Sequence, residues 1–516
     1  MSDSRWSSSA RGTSTRIETP STRSGTESVP ELVEGPTPAA VLLPGFAGPT
    51  LPDWLAARLR AGLAGVCLFA TNIHSRAQLR ELTDAIREAN PLALIAIDEE
   101  GGDVTRLYSA TGSPFPGNAL LGRIDDVDFT RHVATTVGWE LRLAGVNLDL
   151  APDVDINSNS DNPVIGTRSF GADAELVAAH SAAWTAGLQS TGVAASAKHF
   201  PGHGDTAQDS HLGLPVVDLD LDALRARELV PFAAAVRAGA RTVMTSHILL
   251  PQLDARNLAT FSRAILTGLL REDLGFDGVI VTDALDMRGA SGEIGIPEAT
   301  VRALAAGGDL LCIGTENTDE QLAAIGDAIA RAVQDGRLDE SRLRDAISRN
   351  EALASQLVGD ARNIPIPEWA ASGDAPDFDL ERAIAAFDVR AGTVVPRDRV
   401  VVTLETAANI AVGASPWGLA AAGERVTPLR EGDGLPEHSS DLLGNASHLV
   451  IVGKDNHRRD WTRHLIDLAR ERHPSTLIID MGWPSEDRQY ADVATFGASR
   501  YVGRALAAWL RKAEQQ

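Results

Sequence analysis

The sequence predicts an α/β protein in which a parallel (β/α)8 barrel of the TIM type is followed by a smaller α/β domain. Three observations carry that reading. Eight short apolar runs rich in Leu, Ile, Val and Ala recur between residues 39 and 313, the segments between them carry apolar residues at helical spacing, and polar residues gather directly after several runs. In a parallel barrel those positions converge on one mouth, where active sites of this fold are found. An open, doubly wound sheet is the structural alternative.

In chain order, the first 36 residues are Ser, Thr, Arg, Gly and Pro without the apolar core of a signal peptide, and read as a disordered tail. The predicted strands are Ala39 to Leu43, Gly65 to Phe69, Leu92 to Ile97, Val146 to Leu150, Val193 to Ala197, Thr242 to Thr245, Gly278 to Val281 and Leu310 to Ile313. Between them, Ser75 to Ala89, Ala174 to Thr191, Asp222 to Ala238 and Ser262 to Leu274 read as helices. The barrel then spans 37–357, close to the roughly 250 residues usual for the fold once loops are added. Pro, Gly, Asp and Ala are frequent from Val358 to Phe378, which opens a linker over 358–392. The second domain, 393–516, has predicted strands at Val400 to Leu404, Asn409 to Val412, His448 to Val452 and Thr476 to Ile479. Its predicted helices are Trp461 to Arg472 and Ser499 to Leu510. It lacks a Gly-rich phosphate loop between a strand and a helix, so a nucleotide role has little support.

A chain of 516 residues exceeds the roughly 250–300 at which one core stops growing, which also argues for two domains. The formal net charge of −23 repels polyanions and argues against nucleic-acid or anionic-membrane partners. No apolar run approaches the ~18 residues of a membrane span. Cys67 and Cys312 lie inside apolar strand-like runs and read as buried free thiols, compatible with a reducing cytoplasm. The expected state is a cytoplasmic monomer or weak oligomer.

Chemistry concentrates in Lys198 to Leu214, which packs three histidines, two aspartates and a lysine around Pro-Gly and His-Gly pairs directly after a predicted strand. Asp209 and His211 flank Ser210. In extended backbone, residues two apart point to one side, so the carboxylate reaches the imidazole and raises its basicity. Asp283 follows another predicted strand and reads either as a pocket carboxylate or as a helix N-cap, a role Asp286 could take instead. Arg106, Arg168 and Lys198 are the cations nearest these motifs, and a cationic lining would keep Asp283 ionised. His199, His203, His211 and His247 are enough for a metal site. However, His199 and His203 straddle Pro-Gly in a loop rather than sitting on a helix, which favours histidines that bind hydroxyls, with no metal.

Lys198-His199-Phe200-Pro201-Gly202-His203-Gly204-Asp205, followed by Asp209-Ser210-His211, resembles the signature of bacterial β-N-acetylglucosaminidases of glycoside hydrolase family 3. Four further segments agree in order: Asp98 to Gly102, Ala151 to Asp155, Gly166 to Phe170, and Gly275 to Ile280 leading to Asp283. The resemblance implies that Asp283 is the nucleophile and His211 the general acid/base, with Asp209 as its partner. It implies that Asp98, Arg106, Arg168, Lys198 and His199 bind the terminal sugar. Glu99 departs from the Gln of many members, which bears on the charge near that sugar. The C-terminal domain resembles the α/β sandwich of longer members.

The expected activity is therefore retaining hydrolysis of terminal β-linked N-acetylglucosamine from muropeptides of cell-wall (peptidoglycan) recycling or from chitin-derived oligosaccharides, with no cofactor. A phosphorylase using inorganic phosphate as acceptor is the nearest alternative, since a neutral histidine does not repel an incoming phosphate as a carboxylate would. A non-catalytic sugar sensor is another. Substrate-assisted catalysis finds Asp149, Asp153 and Asp155 but Asn157 where the following acid belongs.

Overall fold

The computed structural model describes residues 37–206, 214–371, 377–409, 411–435 and 447–515. The predicted tail and the pair Asp209 and His211 lie outside the described residues. Eight strands follow one another as β1 (Leu42–Pro44), β2 (Gly65–Leu68), β3 (Leu94–Ile97), β4 (Leu148–Asp149), β5 (Ala194–Phe200), β6 (Thr242–Thr245), β7 (Val279–Val281) and β8 (Leu311–Gly314). Strands β2 to β7 pair in sequence, all parallel, and β8 pairs parallel with β1. A parallel bridge from Val281 to Leu310 joins β7 to the β8 side, and Ala64 N–H donates to Ala39 C=O on the β1–β2 side. The eight strands thus form the expected barrel.

All eight strands are buried along their length, as strands covered on both faces must be. Side chains alternate. Leu43, Cys67, Leu94, Ala96, Leu148, Ala194, Met244 and Cys312 share one apolar cluster, whereas Val66, Leu68, Ile95, Ile97 and Ala195 belong to another that includes the surrounding helices. Both cysteines are buried free thiols, and a hydrogen bond to Cys312, with burial, raises the Cys67 thiol above its ordinary range. The predicted helix over 75–89 spans Arg76–Ala89, with the Ser75 hydroxyl accepting Gln78 N–H at 3.2 Å. Asp173 caps Ala174–Gln189 in the same way. The stretch 222–238 is two helices, Leu221–Ala226 and Leu229–Arg237, because the chain turns at Arg227, whose φ and ψ are −130° and −76°.

Two expectations are corrected. The helix opening at Glu340 runs to Asn363, through the start of the predicted linker, and Ile364 leaves the helix ahead of Pro365. The proline ends it, and Gly359 lies inside the helix. Of the predicted strand 409–412, the described residues 409, 411 and 412 are in no strand; they belong to a loop after the strand Arg399–Glu405, and this loop is hydrogen-bonded to the barrel instead of to a sheet.

The second sheet contains β9 (Asp388–Val389), β10 (Arg399–Glu405), β11 (Thr427–Arg430), β12 (His448–Gly453), β13 (Leu477–Asp480) and β14 (Val493–Ala494), ordered β11-β10-β12-β13-β14-β9. The first five are parallel, and β9 closes one edge antiparallel, inside the segment expected to be linker. The helix Asp460–Arg472 packs on one face with Val402, Leu404 and Ile451. On the other face, Tyr501, Val502 and Leu506 of the last helix, Arg500–Gln515, join Val450 and Val452 in a cluster continuous with the barrel's outer core. Barrel and sandwich accordingly belong to one compact unit.

At the β7–β8 seam, Asp309 is fully buried, accepts Ile280 N–H at 2.9 Å and pairs with Arg271 and Arg342. Removing a buried ion-pair partner typically costs about 3–5 kcal/mol. Because both arginines stay partly exposed, Asp309→Ala is expected to lower unfolding free energy by about 3 kcal/mol in urea titration. A loss below about 1 kcal/mol would show that the seam does not depend on this carboxylate.

Candidate active site

Residues at the carboxyl ends of β3, β5 and β7, with those of the loop after β4, line a cavity of about 450 Å3, a size usual for small-molecule sites. Asp98, Arg106, Arg168, Lys198, His199 and Asp283 all face it, so the structure brings together every described member of the expected site. Glu100, His203, Met244, Asp286, Arg288 and Ala411 line the same cavity; of these, the sequence marks His203 among the hydroxyl-binding histidines and Asp286 only as a candidate helix cap, while Met244, Arg288 and Ala411 carry no sequence signal.

Lys198 stands at the centre. Its ammonium is 2.7 Å from Asp98 Oδ1 and 2.8 Å from Glu100 Oε1, with its side chain 2% exposed. Arg168 grips Glu100 with two parallel bonds, Nε to Oε2 at 2.9 Å and a guanidinium NH2 group to Oε1 at 2.8 Å. Arg106 lies 3.7 Å from the other Asp98 oxygen. Burial alone would raise Asp98 and Glu100, but Lys198 and Arg106 together outweigh it at Asp98, as Arg168 and Lys198 do at Glu100, so both stay below the usual carboxylate range. The same carboxylates offset burial at Lys198 and hold it charged.

Below this layer Asp155 collects three donors. It takes His199 Nδ1 at 2.8 Å and the backbone N–H groups of His199 and His203, at 3.2 and 2.7 Å. An NH2 group of Arg168, which can only donate, lies 3.3 Å from His199 Nε2. The imidazole therefore carries its proton on Nδ1 and turns an acceptor toward the arginine. Burial raises Asp155, but the bond from His199 and the neighbouring charges more than reverse this. Asp153 is raised well above the normal range, first by burial and then by Asp155. His203 is pushed down to about 4 by burial and stays neutral.

Asp153, Asp155 and His199 could in principle hold a metal ion. Their donor set does not fit one well: His199 Nδ1 is spent on Asp155, and the Arg168 guanidinium already stands 3.4 Å from Asp153 Oδ2. His247 faces elsewhere. Its Nε2 donates to Ala284 C=O at 3.0 Å and its Nδ1 lies 2.9 Å from Thr260 Oγ1, which steadies the turn after Asp283. Asp283 is half-buried and accepts Ala284 N–H at 2.7 Å. It caps no helix, since the next one, Arg288–Ser291, starts from Met287 without a side-chain cap; Asp286 instead accepts Thr315 N–H at 3.2 Å.

Glu100 was legible in principle, because a period of two from Asp98 puts both on one side of an extended chain. Glu99 points the other way. It accepts Arg106 and Leu107 N–H groups at 2.9 Å each, and burial raises it to about 7, so it supports the loop and does not line the cavity. Gly202 and Gly204 have local reasons for being glycine. Gly202 has φ of +126°, and a Cβ on Gly204 would stand 1.6 Å from Ile156 O.

The profile described as the glycosyl hydrolase family 3 N terminal domain matches residues 53–352. A protein named beta-hexosaminidase A from Pseudoalteromonas piscicida is 35% identical over 380 residues, covering 67% of this chain and 63% of that one. The beta-hexosaminidase of Stenotrophomonas maltophilia (strain K279a) is 36% identical over 335 residues, or 63% of this chain and 96% of its own. Among solved structures, a glycoside hydrolase family 3 beta-N-acetylglucosaminidase from Paenibacillus sp. str. FPU-7 superposes with a TM-score of 0.82 at 31% identity, covering 93% of this chain and 97% of that one. With a barrel matched over most of its length and a two-part architecture shared end to end, the chain belongs to glycosyl hydrolase family 3.

Proposed function

We propose that the protein is a retaining β-N-acetylhexosaminidase that releases terminal β-linked N-acetylglucosamine from oligosaccharides derived from peptidoglycan or chitin. The observation that carries this reading is the position of Asp283, at the end of β7, on the same cavity as Lys198, Asp98, Arg168 and His199. A carboxylate beside a prearranged set of donors and acceptors for sugar hydroxyls is the arrangement that displacement at an anomeric carbon requires. The beta-hexosaminidase and beta-N-acetylglucosaminidase names of its relatives support the sugar.

In this reading Asp98 accepts hydrogen bonds from ring hydroxyls while Lys198, Arg168 and Arg106 donate, and His199, whose Nε2 faces Arg168, holds that guanidinium in place. Asp283 attacks the anomeric carbon as the leaving oxygen takes a proton from His211, giving a covalent glycosyl-enzyme. His211 then removes a proton from water, whose oxygen displaces Asp283 and yields the β-anomer. Asp209 orients and tunes His211. Arg168 and Lys198 stay charged throughout, so the sugar is held without a proton entering or leaving its binding groups.

Asp283→Ala is expected to lower kcat on 4-nitrophenyl N-acetyl-β-D-glucosaminide by about 10³-fold or more while leaving the unfolding midpoint near wild type. A fluorinated slow substrate should label Asp283 in peptide mapping, and a label elsewhere would sink the assignment. His211→Ala should depress turnover of poor leaving groups far more than that of activated aryl groups, with Asp209→Asn the milder change. Equal losses on both, unrelieved by azide, would remove His211 from the acid/base role. Products formed in phosphate buffer separate hydrolysis from phosphorolysis, since accumulation of the sugar 1-phosphate would assign the enzyme to the second.

A further inference from the structure

The five parallel strands of the second sheet run in chain order 2-1-3-4-5, and the connections on either side of β10 leave on opposite faces. Helix Gly418–Ala421, after β10, packs on the face of Tyr501, and helix Asp460–Arg472, after β12, on the other. The carboxyl end between β10 and β12 is thus the place where open α/β sheets ordinarily bind a ligand. Here that crevice is filled. Its space is about 10 Å3, and its walls come from Val412, Pro416, Trp417 and Lys454 on one side and from Gly102, Asp103, Thr105 and Ser113 of the barrel on the other.

The barrel segment held there is the loop after β3, and it is gripped along its length. Asp103 Oδ1 accepts Ala498 N–H at 2.9 Å, Ser113 C=O accepts Tyr501 N–H at 3.2 Å, and Phe115 C=O accepts the Ser499 hydroxyl at 2.6 Å. Gly112 lies so close that a Cβ would stand 2.6 Å from Pro416 O. Arg106 lies in the middle of this loop, with its two NH2 groups 3.0 Å from Ala411 C=O and 3.5 Å from Val412 C=O. Those carbonyls are themselves pinned. Asn409 Oδ1 accepts Ala411 N–H at 2.8 Å, and its Nδ2 donates to Pro163 C=O at 2.7 Å. Arg458 adds a bond to Ser160 C=O at 3.0 Å.

We propose that the carboxyl edge of the second sheet is a working part of the sugar site. It takes the barrel loop 102–115 as its ligand and sets the position of Arg106, with Asn409 as the positioning residue. The inference rests on the activity proposed above. Arg106 has carbonyls of the loop after β10 on one side and Asp98 on the other, so its guanidinium reaches the cavity in a fixed orientation. Without the pin, Arg106 loses orientation and the sugar is bound less tightly, while Asp283, supported by β7 and His247, is undisturbed.

The test is steady-state kinetics of the full chain on 4-nitrophenyl N-acetyl-β-D-glucosaminide. Asn409→Ala should raise KM about tenfold with kcat within about twofold of wild type. Arg106→Ala should raise KM at least as much, and Arg106→Ala with Asn409→Ala should be no worse than Arg106→Ala alone, because the second change acts through the first. An unchanged KM for folded Asn409→Ala, or effects that multiply in the double variant, would overturn the proposal. If Asn409→Ala does not fold, Asp103→Asn keeps the shape and weakens the bond from Ala498 N–H. It should give the same KM-only defect, and wild-type KM there would equally overturn the proposal. A wild-type chain without turnover would instead defeat the activity on which the inference rests.

Discussion

The buried ammonium of Lys198, set between Asp98 and Glu100, is the constraint around which this site is organised. Taking a lysine and two carboxylates out of water costs several kcal/mol per ion, recovered only when each charge has close partners. The sequence supplies them from three places: β5 carries the lysine, the end of β3 both acids, and the loop after β4 the arginine that completes Glu100. None of these elements can shift without exposing an unmatched charge. The polar groups of the barrel mouth are therefore held in one arrangement by their own ion pairs, which is what the proposed sugar site requires.

The charge balance has a consequence for pH. Asp98 and Glu100 lie below their ordinary values, so they stabilise the fold above the unfolded carboxylate range, and that stability fades as pH falls through their native values. Glu99 behaves in the opposite sense. Burial raises it to about 7, so its contribution is whole below its unfolded value and is lost as pH rises toward 7. Asp98 and Glu100 thus add to the acid limb, and Glu99 adds to the neutral limb together with Glu228 and Asp480, which burial also raises to about 7.

The barrel was legible because its strands are short, apolar and buried on both faces, which leaves a strong local pattern; Thr242–Thr245 appears over the residues expected. The motif residues at strand ends were legible for the same reason, since a parallel barrel sends all such ends to one mouth. What was missed depended on distant partners. Residues 409–412 look like a strand because Ile410-Ala411-Val412 is apolar, but nothing local records that Arg106 would donate to the carbonyls of Ala411 and Val412. Likewise Gly359 resembles a linker residue, yet the surrounding helix has room for it and ends only where Pro365 forces the issue. Asp209 and His211 rest on their motif alone.

Arg106 and Ala411 are 305 residues apart in the chain, whereas Asp98 and Lys198 are 100 apart and Asp283 lies on a barrel strand's own end. Contacts across such separations form after local ones, because closing a longer loop costs more chain entropy. The barrel can assemble its ion network and place Asp283 from its own residues, but the loop with Arg106 reaches its final position only when the second sheet has folded against it. In the proposed site one binding group, Arg106, thus depends on the second part of the chain while the others and Asp283 come from the barrel. The second sheet fills its own ligand crevice with a barrel loop, and so gives up a separate ligand site at that crevice for a share in the barrel's.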